Sequence, residues 1–167
     1  LEFRRVLFRS NPPSVGAVTF DGLDKFGDAY NNTNASAIGL CDQLTSRYIN
    51  LAADQNGLPY AVSDSIYMVF YYQRKGRGDK PETSDSLTLQ FYNPSSQSWT
   101  SVWSAVGNAT GDTLFTKVRM KIDDPAFRQN GFRFRFSSYG SQNGMLDIWN
   151  VDYIYLNKFL QIGRAHV

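Results

Sequence analysis

The sequence is poor in the groups that carry acid–base and thiol chemistry. Its 167 residues include one cysteine, Cys41, one histidine, His166, and two glutamates, Glu2 and Glu82. One cysteine excludes an internal disulfide, and one thiol with one imidazole cannot build a tetrahedral zinc site. No glycine-rich loop ending in Lys-Ser or Lys-Thr is present to cradle a nucleotide phosphate. No apolar run approaches the length that spans a bilayer, so membrane insertion is not expected.

The histidine also lies in a tail that does not read as natural protein. The DNA string CGTGTGCTCTTCCGATCT encodes Arg5 to Ser10, and its reverse complement in a shifted frame encodes Ile162 to His166. The same element at both ends in opposite orientation is the mark of sequencing-adapter read-through in a metagenomic fragment. The expected organisation is therefore a non-native tail at 1–10, one module at 11–160 and a second tail at 161–167. Setting aside Arg4, Arg5, Arg9, Arg164 and Glu2 turns 17 basic and 15 acidic residues into 13 and 14, and the formal charge from +2 to −1. Neither nucleic acid nor an anionic membrane is expected as a partner on that balance. Nucleophilic triads need a base beside the nucleophile, usually imidazole, and the module has none. Glycosidases place two carboxylates across the scissile bond, and Glu82, the module's one glutamate, sits in a charged loop. The sequence thus predicts a protein without catalytic activity.

What is abundant is aromatic: 10 Tyr, 12 Phe and 3 Trp. Short alternating segments separated by polar turns predict an all-β sandwich or barrel. Strands are expected at Val15 to Phe20, Leu44 to Leu51 and Ile66 to Gln73, the last apolar on both parities and so central. Leu87, Leu89 and Phe91 alternate with Thr88 and Gln90, and a turn at Asn93 to Ser96 leads into Ser98 to Ser104, a hairpin. Val118, Met120 and Ile122 face one way and Lys117, Arg119 and Lys121 the other, as in a half-solvated strand. Phe132, Phe134 and Phe136 alternate likewise with Arg133 and Arg135; such alternation explains this strand better than an RNA-recognition motif does. Met145 to Leu156 closes the set. Loops are expected at Asp28 to Ser36, Arg74 to Asp85, Gly107 to Thr113 and Ser137 to Gly144, and one helical turn at Asp124 to Gln129.

An ordered set of motifs then points to a family. These are Phe20-Asp21-Gly22-Leu23-Asp24, Phe70-Tyr71-Tyr72-Gln73, Asp85-Ser86-Leu87, Trp99 with Trp103, Gly131 to Phe136, and Asp147-Ile148-Trp149-Asn150-Val151-Asp152-Tyr153. Together they resemble a module of large secreted Bacteroidota proteins, of the kind associated with gliding motility and C-terminal sorting domains. The resemblance implies a MAM-like or concanavalin-like jelly roll, a two-sheet antiparallel sandwich. It also implies a secreted or cell-surface protein. MAM domains proper usually carry disulfides this chain cannot form, so receptor-type function is not carried over. Asp64-Ser65-Ile66, Asp85-Ser86-Leu87 and Asp112-Thr113-Leu114 look like short O-glycosylation signals of such proteins.

Jelly rolls of this shape often hold a structural Ca²⁺ between first and last strands, and calcium takes six to eight oxygens. Asp21 and Asp24 follow the first strand, and Asp152 sits within the apolar closing strand, where a carboxylate needs a partner or a metal. Asp152 with Asp21 or Asp24 is the expected site; pairing of Asp152 with an arginine or backbone amides is the alternative. Sugar-binding sandwiches stack rings on aromatics, for which Trp99, Trp103, Tyr72, Tyr139 and Trp149 are the candidates. Trp99 and Trp103, evenly spaced on one strand, are expected to share a face, as a core pair or a platform. Arg74 and Arg77, with Lys75 and Lys80, form a basic cluster suited to an acidic glycan or a partner protein. The expected function is a binding or adhesion module with a glycan or surface protein as partner. The alternatives are a structural or protein-interaction module, or an accessory domain of a polysaccharide-degrading enzyme.

Overall fold

The computed structural model describes residues 9–61 and 63–158; of the expected tails, all but Arg9 and Ser10 lie outside these residues. The described residues form nine strands: β1 (Val18–Phe20), β2 (Ile38–Thr45), β3 (Ile49–Asn50), β4 (Tyr67–Arg74), β5 (Ser86–Asn93), β6 (Ser98–Val106), β7 (Thr116–Lys121), β8 (Asn130–Ser141) and β9 (Trp149–Asn157). They make a four-stranded sheet, β1-β9-β4-β7, and a five-stranded one, β2-β8-β5-β6 with β3 also on β8. All named strand pairs are antiparallel. Pairing is nested: β5 with β6, β4 with β7, β2 with β8, β1 with β9, alternating between sheets. That order, a long hairpin rolled over on itself, makes the fold a jelly-roll sandwich.

The inner faces follow the alternation of the sequence. Leu87, Leu89 and Phe91 of β5 meet Phe132 and Phe136 of β8 from one sheet; Met68, Phe70 and Tyr72 of β4, with Trp149 and Val151 of β9, come from the other. Edge-to-face contacts tie them, as between Phe70 and Phe136 at 4.9 Å and Phe91 and Phe132 at 5.1 Å, each worth about 0.5–1.5 kcal/mol beyond area burial.

The first and last strands start later than expected, at Val18 and Trp149, and three other segments differ. The strand expected at Leu44 to Leu51 is two: β2 starts earlier, at Ile38, and the chain breaks at Ser46, whose hydroxyl accepts the Phe134 amide before β3 resumes. The expected loop at Ser137 to Gly144 is strand as far as Ser141, because β2 and β5 flank it and supply a ladder to small polar residues. Asp124 to Gln129 makes hydrogen-bonded turns, Phe127 N–H to Asp124 C=O and Arg128 N–H to Pro125 C=O, without a helix.

The entering chain lies along the four-stranded sheet. Ser10 donates its N–H to Gln73 Oε1 and accepts from Gln73 Nε2, while Ser14 donates its amide to Asp152. Gln73, Asn150 and Asp152 are buried beneath it.

Candidate functional site

The carboxylates expected to hold calcium stand apart. Phe20 pairs with Trp149 and Val18 with Val151, so Asp21 lies beyond one end of this pairing and Asp152 beyond the other. Asp152 takes the bland alternative: it accepts from the Ser14 amide and hydroxyl and from the Tyr153 amide. Asp24 builds a turn, its Oδ1 accepting from the amides of Phe26 and Asp28. Asp54 does the same with Asn56 and Leu58, 30 residues on, in a turn closed by the same pattern. Asp21 accepts the Leu23 amide, and burial with the nearby Asp42 charge raises its pKa.

The acids that do converge are Glu82, Asp85 and Asp147, with carboxylate oxygens within 4.8 Å of one another. Two come from positions just before β5 and β9 and one from the long loop, and the first two, Asp85 and Asp147, flank Gly140 of β8. A Cβ at Gly140 would lie 3.0 Å from Asp147 Oδ2 and 3.3 Å from Asp85 Cγ, which is why glycine stands mid-strand there. Burial pushes Asp147 up to about 7, reinforced by its hydrogen bond to Glu82; that bond holds Glu82 low. Below about pH 7 the proton therefore favours Asp147 and the charge Glu82. The adjoining cavity, lined by Cys41, Asp147 and Trp149, is about 10 Å³, room for one water and far too small for a sugar.

The aromatic candidates divide, and Trp99 and Trp103 do not share a face. Leu89 pairs with Trp103 but Gln90 pairs with Ser101, so a bulge inserts one residue between them and reverses the alternation. Trp103 turns inward against Phe70 and Tyr72, at 5.0 Å each. Trp99 turns outward beside Tyr92, under Arg135 at 4.3 Å and Arg133 at 5.8 Å. Tyr72 and Trp149 are core residues and cannot meet a ligand. Tyr139 is exposed on the outer face of the five-stranded sheet, in a row with Leu40 and Val106. Arg74 is likewise spoken for. It reaches across the end of the sandwich to Val106 C=O and Asp112, at 2.7 and 2.6 Å, and lies over the Tyr72 and Trp149 rings. Only Arg77 of that pair is exposed.

The outer side of the four-stranded sheet is open beyond the stretch that the entering chain covers. Register puts Tyr71 opposite Lys117, Val69 opposite Arg119 and Tyr155, and Tyr67 opposite Lys121. A bulge in β9, where Tyr71 pairs with Asp152 but Val69 with Tyr155, brings Tyr153 out at a φ of 49°. Tyr153 and Tyr155 stack at 6.3 Å and 24°, and Tyr153 meets Tyr71 edge-on at 6.1 Å. Lys117 and Arg119 lie over Tyr71 and Tyr67, at 5.9 and 5.1 Å. The result is a solvent-facing array of phenol rings bordered by cations along the edge strand β7.

No family model and no curated protein matches the chain. Among solved structures, one titled "Structure of Eiger TNF from S. frugiperda" aligns over 89% of this chain and 96% of its own, at 10% identity and a TM-score of 0.27.

Sequence reasoning missed the tyrosine array. Its one local signal was the run Lys117, Arg119, Lys121, read as a wet strand face. The rings come from β4 and β9, more than 70 residues apart, and only the pairing of both with one sheet makes them neighbours.

Proposed function

We propose that the protein is a non-catalytic extracellular binding module that takes glycans on the outer face of its four-stranded sheet. The observation that carries this reading is the stacked pair Tyr153 and Tyr155, 49% and 38% exposed, continued by Tyr71 and flanked by cations. Phenol rings offer an apolar face and a polar tip, which suits the apolar faces and hydroxyl rims of sugars. The resemblance to secreted Bacteroidota modules supports the same reading and a cell-surface setting. Affinity electrophoresis against a panel of soluble polysaccharides tests it. Retardation by at least one polymer is expected, lost in Tyr153→Ala/Tyr155→Ala while the melting temperature stays put. A panel with no retardation, or a double variant retarded like the parent, would defeat the reading.

A second reading, a protein-interaction module, rests on the opposite sheet. Leu40, Tyr139 and Val106 lie in one row across its outer face, each 45–55% exposed, with Ile38 beside them. Ser86 is the one polar residue in that row, and exposed apolar side chains so placed suit a protein partner better than a sugar. Self-association that disappears in Leu40→Ser would favour it.

A further inference from the structure

Lys117, Arg119 and Lys121 occupy alternate positions of β7 and therefore form a ladder of cations roughly 6.7 Å apart. Their partners are unequal. Lys121 has Asp123 at 2.9 Å, but neither Lys117 nor Arg119 forms an ion pair among the described residues. Within the four strands of this sheet the one acid is Asp152, which is 1% exposed, with its oxygens taken by Ser14 and Tyr153. Cations on an edge strand deter pairing with foreign strands. That accounts for the charge, though not for the rings of Tyr71, Tyr153 and Tyr155 ranged behind it.

Resting on the glycan reading above, we infer that the face takes a carboxylate-bearing polysaccharide, a polyuronate. The chain runs along β7 with successive carboxylates at Lys117 and Arg119, and its sugar rings lie over the tyrosines. A guanidinium offers paired N–H donors that match the two oxygens of a carboxylate, and the ammonium adds a point charge. A nucleic acid fits less well. A single strand carries a charge about every 3.4 Å, whereas the face offers three cations in a chain whose 17 basic and 15 acidic residues nearly balance.

The test is calorimetric titration of the full chain with polygalacturonate, with the same polymer fully methyl-esterified, and with a thymidine oligonucleotide. Polygalacturonate is expected to bind about tenfold or more tighter than its ester at low salt, with the advantage shrinking as salt rises. Lys117→Gln/Arg119→Gln should weaken polygalacturonate binding about tenfold or more at an unchanged melting temperature, and Arg47→Gln, at an exposed cation between β2 and β3, should leave it unchanged. Equal binding of acid and ester, lost in Tyr153→Ala/Tyr155→Ala, overturns the charge inference and leaves the glycan reading standing. Binding of neither polymer overturns the polyuronate inference, while the glycan reading falls only if the whole polysaccharide panel is also silent. Tighter binding of the oligonucleotide than of polygalacturonate overturns the assignment of a sugar acid.

Discussion

Truncating Trp103 and Trp99 separately should give very different losses, because the bulge in β6 sends one ring into the core and the other to solvent. Trp103→Ala removes two edge-to-face contacts, to Phe70 and Tyr72 at 5.0 Å. Each contributes about 0.5–1.5 kcal/mol beyond area. Tryptophan-to-alanine changes in cores cost about 3–5 kcal/mol. Because Trp103 is only half-buried, the lower end applies, about 3 kcal/mol. Trp99→Ala removes contacts with Arg135 at 4.3 Å, Arg133 at 5.8 Å and the tilted Tyr92 ring at 5.2 Å. At a partly exposed site these are worth about 1 kcal/mol together. The difference of about 2 kcal/mol is roughly 30-fold in the folding equilibrium. For a domain of this size it corresponds to about 4–8 °C in melting temperature. Urea unfolding followed by far-UV circular dichroism reads it without relying on the tryptophans that are removed. Midpoints should shift at constant slope, so that the change is one of stability. Equal losses, or a larger loss for Trp99→Ala, would refute the reversal of face.

Three further outcomes follow from other parts of the molecule. Asp147 has a folded pKa of about 7 against an ordinary 3.8, so its contribution to stability is full below pH 3.8 and lost as pH rises through 7. Discounted for partial solvent screening, the loss is about 1–2 kcal/mol; urea midpoints at pH 5 and pH 8 should show it in the parent and not in Asp147→Asn, and parallel behaviour would contradict the proton assignment. Arg74→Ala leaves Asp112 and the Val106 carbonyl at the sandwich end without their guanidinium, and a cost of about 2–3 kcal/mol is expected in chemical denaturation, only partly recovered by Arg74→Lys. Burial pushes the Cys41 thiol up to about 11, so about one in a thousand is thiolate at pH 8; labelling by an aromatic disulfide should be slow in the native state and fast in guanidinium, and rapid native labelling would show that the thiol is reachable.

The inner face was legible because burial dictates the identity of every second residue. Leu87, Leu89 and Phe91, or Phe132, Phe134 and Phe136, could be assigned from spacing alone. Where the period of two breaks, local sequence carries no warning. Nothing in Ser98 to Ser104 marks the extra residue that separates Trp99 from Trp103, and Tyr153 in β9 is a second case. Ser137 to Ser141 reads as a turn in isolation and is strand because it has neighbours on both sides. Asp152 needed a partner, as its burial required, but the partner is Ser14, 138 residues away. The tyrosine array is equally non-local: β7 was visible as a cationic strand, while the rings beside it depended on which strands the roll of the jelly roll lays together.

The grip of Gln73 on Ser10 is made with the backbone alone: the side-chain amide accepts from the Ser10 N–H and donates to its C=O. Such a grip is blind to side chains, so any residue other than proline, which lacks the N–H, can occupy that position. The side chain at position 10 is therefore free to change while Gln73 keeps both of its hydrogen bonds to the backbone.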